Sequence, residues 1–106
     1  MLISTRTNGL SLLRIVGELT IANAADYKKQ LLSQLEGASE VEINLSGVSK
    51  FDTAGLQLLL MGKREAARMG LVLRLSWHSR AVSEVLELSE MADYFEDLML
   101  PGPAPA

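Results

Sequence analysis

Two hydrophobic periods meet in the middle of this chain, and together they restrict the fold. In "EVEINL", Val41, Ile43 and Leu45 point one way and Glu40, Glu42 and Asn44 the other, the alternation of a β-strand. From about Ala54 to Met69 the apolar residues recur every three or four positions, the period of a helix, which Gly70 stops. Ser46 to Lys50 reads as the loop between them. A strand that hands over to a helix and then to another strand needs a crossover connection, so the sheet is parallel at this point.

The same alternation of periods runs along the rest of the chain. Residues 2–16 read as a hairpin turned at Asn8-Gly9, the pair that most readily takes the positive φ angles of a two-residue turn. Leu10 to Val16 is apolar on both faces and belongs inside the sheet. Gly17-Glu18-Leu19-Thr20 leaves that strand. From Ala22 to Glu36 the residues Ala24, Tyr27, Leu31 and Leu35 form a helical stripe. Leu71 to Trp77 is a further strand, and Ser79 caps a third helix whose buried stripe is Ala81, Val82, Val85 and Leu86. A short helical turn is expected near Ala92 to Phe95. The expected fold is α/β: a mixed, largely parallel sheet of about four to five strands, with an N-terminal antiparallel hairpin and three to four helices packed mainly on one face. Residues 1–99 form the single domain, and residues 100–106, ending in "PGPAPA", form a disordered tail.

Composition removes several function classes. A net charge of −3 lacks the clustered basic footprint of a nucleic-acid binder. The absence of cysteine excludes disulfides, thiol nucleophiles and cysteine metal sites. "MLISTRTNGL" does not read as a signal peptide, and no apolar run approaches the ~20 residues of a membrane span. A soluble, cytoplasmic protein is expected.

Enzyme chemistry is not expected either. His78 is the lone histidine and has no second metal ligand near it in sequence; Ser79 has no visible base. There is no G-x-S-x-G and no P-loop, and "SGVSK" has too few glycines to cradle a phosphate. A phosphate-accepting receiver domain would need an acidic pair after its first parallel strand and a late lysine. Glu18 stands alone, and Lys63 is the last lysine. Glu40 and Glu42 read as a solvated strand face, and Glu87 and Glu90 as decoration of the last helix. No cofactor is expected.

The junction "KFDTAGLQLLL" (Lys50 to Leu60) draws attention instead. In open α/β sheets, function gathers where strand C-termini meet helix N-termini. Either Asp52 or Thr53 can cap the helix there, and Gly55 lets neighbouring backbone approach closely. On the helix itself, Gly55, Leu59, Gly62, Ala66 and Met69 share the core face, with Leu58 at its margin. Gln57, Arg64 and Arg68 lie opposite. Met61 falls within that polar face, and Leu56 and Leu60 lie towards its edges. Two readings stand: a docking patch beside a modifiable helix start, or flanking residues packed under neighbouring loops.

"VEINLSGVSKFDTAGLQLLL" resembles the signature of the STAS domain, the fold of bacterial anti-sigma factor antagonists. That family has a strand ending in Asp-Leu-Ser, a short loop, then Asp-Ser/Thr-x-Gly-Leu opening a helix. "GELT" is similar to its Gly-Glu/Arg-Leu-Asp segment, and "SRAVSEVLELSEMADYF" to its last helices. The resemblance implies that Thr53 is a phospho-acceptor and Asp52 its acidic neighbour. It also implies a partner surface comprising Asp52, Thr53, Ala54, Leu56, Gln57, Leu60, Met61 and Arg64. The implied partners are an anti-sigma factor that is itself a serine/threonine kinase of the histidine-kinase-like ATPase type, and a phosphatase. No direct contact with nucleic acid and no membrane insertion are implied. The unphosphorylated form would bind the anti-sigma factor and free the sigma factor. The family also includes small subunits that dock on the ATPase of phospholipid-trafficking transporters, and adaptors of chemotaxis-linked signalling. Two departures stand out: the implied acceptor is threonine where the best-known members have serine, and Thr20 stands where many members have aspartate and reads as a cap for the first helix.

Overall fold

A computed structural model of the chain describes residues 1–88. The helical turn expected at 92–95, Glu90, the domain limit at 99 and the tail at 100–106 lie outside the described residues.

The first two strands, β1 (Leu2–Thr7) and β2 (Leu10–Leu19), pair antiparallel with Thr7 opposite Leu10. Asn8 and Gly9 turn the chain between them with φ of 51° and 84°. Positive φ at both central residues matches the right-handed twist of the strands, as the Asn-Gly pair predicts. β3 (Glu40–Phe51) then pairs with β2, and β4 (Val72–Ser76) with β3, both in parallel, so the sheet order is β1-β2-β3-β4. The mixed α/β fold expected from the sequence is the fold observed, with four strands among the described residues.

The helices α1 (Ala24–Leu35), α2 (Thr53–Arg68) and α3 (Arg80–Leu88) bury their apolar stripes in one core. Into it point Leu13 and Ile15 of β2, Val41, Ile43 and Leu45 of β3, and Leu73 and Leu75 of β4. Tyr27, Leu31 and Leu35 meet them from α1, Leu59 and Ala66 from α2, and Val82 and Leu86 from α3. The alternate strand residues Leu12, Arg14, Val72 and Arg74 are exposed, so all three helices cover the same side of the sheet. β2 does lie inside the sheet, but its second face is not covered by described residues, and Leu12 remains 44% exposed. Arg6, paired with Ser11 in register, ties the hairpin to α1 by donating to the Gln34 carbonyl at 2.7 Å. That bond satisfies an orphan acceptor at the helix C-terminus. Among the described residues, no helix is long and apolar enough to cross a membrane.

Two strand ends differ from the sequence expectation. β2 runs on to Leu19, and the expected loop Ser46–Lys50 is instead the continuation of β3 to Phe51. The cause is a pair of register shifts against β2, one between Arg14 and Val16 and one between Gly17 and Glu18. Each shift inserts one extra residue into β3, as a β-bulge does. The inward side chains past the regular stretch are therefore Leu45, Val48 and Phe51, spaced by three rather than two. That spacing conceals a strand from any search for strict alternation.

Candidate functional site

The start of α2 abuts the end of β2. A Cβ at Gly55 would lie 2.5 Å from the Leu19 carbonyl oxygen and 2.8 Å from the Phe51 ring. Glycine is therefore required by the approach of helix to strand end. Asp52 precedes the helix with extended backbone, φ −133° and ψ −173°. One of its carboxylate oxygens accepts from the Gly55 N–H at 3.1 Å, the bond of an N-cap. The other accepts from the Ile21 N–H at 3.0 Å, in the β2–α1 loop. The Ile21 N–H does most to hold the Asp52 carboxyl below the usual aspartate range. Partial burial opposes it, and the Gly55 and Ala54 N–H groups add to the lowering.

Asp52 thus supplies the cap, and Thr53 does not. Thr53 is the first residue of α2, is exposed, and has no side-chain hydrogen bond among the described residues. Ile21, whose N–H is held by Asp52, is 81% exposed in the β2–α1 loop. Sequence reading overlooked Ile21. Its signal was an apolar residue stranded between a strand end and a helix start in "LTIAN", where no core-facing period claims it. Thr20, read as a cap of α1, does something else. Asn23 stands at the N-cap position, and Thr20 Oγ1 accepts from the Ala22 N–H at 3.3 Å while its N–H donates to Asn23 Oδ1 at 3.0 Å. The Asn23 amide donates in turn to the Glu18 carbonyl at 2.7 Å, so the loop carrying Ile21 is internally braced.

Farther along α2, Gln57 and Arg64 are exposed, while Ala54, Leu60 and Met61 are half-buried. Leu56 is not surface: it is 4% exposed and belongs to the core. Leu58, expected at the margin, is buried too, and Met69 of the expected core face is exposed at the helix end. The helix packs on α1, α3, β3 and β4, so its buried arc is wider than a single stripe and closes over position 56. Between α1 and α2 lies an open cleft of about 320 Å³. Ala24, Ala25 and Lys28 form its α1 wall, and Ala54, Gln57, Met61 and Arg64 line it from α2.

The β4–α3 junction offers less. Ser79 caps α3 by accepting from the Val82 N–H at 3.3 Å, and half-buried His78 leaves Nδ1 without a hydrogen bond among the described residues. No cluster of three or more potential metal ligands occurs among the described residues.

The family described as "Mlab, STAS domain" matches residues 4–101. The chain belongs to the STAS domain family. Solved structures share its fold. The anti-sigma factor antagonist SpoIIAA in its unphosphorylated form superposes with a TM-score of 0.77 at 18% identity, over 99% of this chain and 89% of that one. An anti-sigma factor antagonist from Mycobacterium paratuberculosis gives 0.82 at 16% identity, over 95% and 85%. A sulfate transporter family protein from Wolinella succinogenes gives 0.72 at 20% identity, over 90% and 79%. In this STAS domain Asp52 stands half-buried just before α2 and Thr53 exposed at its first position.

Proposed function

We propose that this STAS domain is a phosphorylation-controlled partner-switching protein, an anti-sigma factor antagonist acting by binding and with no chemistry of its own. The unphosphorylated form binds a kinase-type anti-sigma factor in the cytoplasm through the start of α2, freeing the sigma factor. Phosphorylation of Thr53 by that partner blocks binding, and a phosphatase reverses it. The observation that carries the reading is the freedom of the Thr53 side chain: exposed, without a hydrogen bond among the described residues, on a helix already capped by Asp52. The docking surface comprises Asp52, Thr53, Ala54, Gln57, Leu60, Met61 and Arg64, with Ile21 added and Leu56 omitted because it is buried.

The physics of the switch is local. A phosphate adds about −1.5 to −2 charges, and a helix N-terminus accommodates them through its free N–H groups and dipole. A partner seated there would meet like charge beside Asp52 and a hydrated dianion to desolvate. Like-charge juxtaposition costs several kcal/mol, and each ~1.4 kcal/mol is tenfold in affinity. The test is affinity capture from the native cell with wild-type, Thr53→Ala and Thr53→Glu protein, with mass measurement of residue 53. The alanine variant is expected to keep the partner and the glutamate variant to lose it, with unchanged melting. Equal capture by the glutamate variant would refute the switch.

A second reading, a STAS subunit docked on a transporter ATPase, is favoured by two observations. Residue 53 is a threonine, and a sulfate transporter family protein shares the fold. The same capture separates the two: a kinase-like anti-sigma factor supports the first and a transporter ATPase the second.

A further inference from the structure

The cleft between α1 and α2 carries a charge bias opposite to that of the whole chain. Ala24 and Ala25, the first two residues of α1, and Ala54, the second of α2, line it together, so two helix N-termini open at one end of it. Each contributes the equivalent of roughly half a positive charge. Farther along, Lys28 faces it from α1 and Arg64 from α2. Both are exposed, and neither joins an ion pair among the described residues. No carboxylate lines the cleft; Asp52 caps α2 and Asp26 stands in the first turn of α1, where they offset the two helix-start dipoles, so the positive charge of the cleft rests on Lys28 and Arg64. The floor is apolar, formed by alanine methyls with Leu58 and Met61. A protein of net charge −3 thus presents, beside its modifiable threonine, an apolar trough rimmed with positive charge.

We infer that this cleft seats an acidic amphipathic helix of the partner, its apolar ridge on Ala25 and Met61 and its carboxylates facing Lys28 and Arg64. The inference rests on the partner-binding reading above and specifies the chemistry of what binds. From Ala54 to Arg64 the wall rises about 15 Å at 1.5 Å per residue, which matches roughly three turns of a docked helix. The length also settles how a phosphate would act. Arg64 lies about 16 Å along the helix from Thr53, well beyond the ~8 Å screening length at physiological salt. Phosphorylation therefore adds negative charge at the helix-start end, beside Asp52, and leaves the Arg64 end attractive. The switch weakens the seat from one side.

The test uses two synthetic helical peptides of about three turns. They share leucines four positions apart and carry either glutamates or lysines at every other exposed site. Each is titrated into isotope-labelled full chain while backbone amide shifts are followed. The acidic peptide is expected to shift Ala25, Lys28, Gln57 and Met61, and to bind about tenfold or more tightly than its basic twin at low salt. That preference should fade at high salt. The double variant Lys28→Glu/Arg64→Glu, which changes only exposed side chains and should melt as wild type does, is expected to invert the preference. Equal affinities, no shift with either peptide, or a preference unmoved by the double variant would overturn the inference. Shifts confined to Ile21 and Thr53 would also overturn it, while leaving the partner-switching reading intact. Loss of discrimination between Thr53→Ala and Thr53→Glu in native capture would instead sink that reading and leave the peptide result standing.

Discussion

Replacing Asp52 by alanine removes two hydrogen bonds that hold different parts of the site. The first caps α2 through Gly55 at 3.1 Å; loss of such a cap costs about 0.5–2 kcal/mol, typically near 1. The second holds the Ile21 N–H at 3.0 Å across a separation of 31 residues. That N–H lies in an exposed loop, so water replaces the lost carboxylate, and about 0.5–1 kcal/mol is a fair allowance for a net intramolecular bond. The sum, roughly 1.5–2 kcal/mol, corresponds to a fall in melting temperature of about 6–16 °C for a domain near this size.

The pH dependence separates this account from a simple packing loss. Bonds from the N–H groups of Ile21, Gly55 and Ala54 favour the ionised carboxylate and lower its pKa in the folded state. The stabilisation from ionisation is therefore fully present above the ordinary aspartate value near 3.9. It is lost as pH falls through the lowered folded-state value. Urea unfolding of wild type and Asp52→Ala at a series of pH values should show a full gap near neutrality that narrows in acid below about pH 4. A gap that stays constant through that range, or no gap at neutral pH, would refute the double-anchor argument. Asp52→Asn, which can still accept at one oxygen, is expected to lose less than alanine does, and its smaller gap narrows over the same acid range because the titrating carboxyl belongs to wild type.

Other substitutions sort stability from binding. Gly55→Ala places a methyl 2.5 Å from the Leu19 carbonyl, a backbone atom that cannot step aside, so a loss of about 1–3 kcal/mol is expected in chemical denaturation. Leu56→Ala should behave as a core truncation, costing about 2–5 kcal/mol by the same measurement, with partner affinity of the folded fraction unchanged. Ile21→Ser should do the reverse, leaving the melting temperature within a degree or two while weakening capture of the partner, because the side chain is 81% exposed. If Ile21→Ser instead lowers the melting temperature substantially, Ile21 is part of the fold and not an anchor.

The sequence features that proved legible were local ones. Asn8-Gly9 specifies its turn through backbone conformations that few residue pairs adopt, and it sits where the hairpin turns. The 40–45 alternation and the helical period after Ala54 also report directly on burial, because each is set within a few residues. What escaped reading depended on distant partners. Asp52 to Gly55 is a spacing visible in sequence, whereas Asp52 to Ile21 is a tertiary contact with no local trace. Leu56 looked marginal on an isolated helix and is buried because α2 has neighbours on more than one side. Ser46 to Lys50 looked like a loop because bulges changed the inward spacing from two to three.

Those bulges tie the fold to the site. Leu10 pairs with Glu40, an offset of 30, whereas Leu19 pairs with Phe51, an offset of 32, so the two shifts add two residues to β3. With regular pairing, Leu19 would stand opposite position 49, and Asp52 would fall beyond the level of Ile21. With the bulges, β2 and β3 end side by side, and Asp52 is delivered to the Ile21 N–H while its other oxygen caps α2. A cap made this way leaves the next residue with no structural task for its side chain. Threonine is a mediocre helix former, and its hydroxyl at position 53 is not required to satisfy the helix end. The extra residues in β3 therefore do more than bend a strand: they let an aspartate close the helix, so that the hydroxyl beside it stays outside and available.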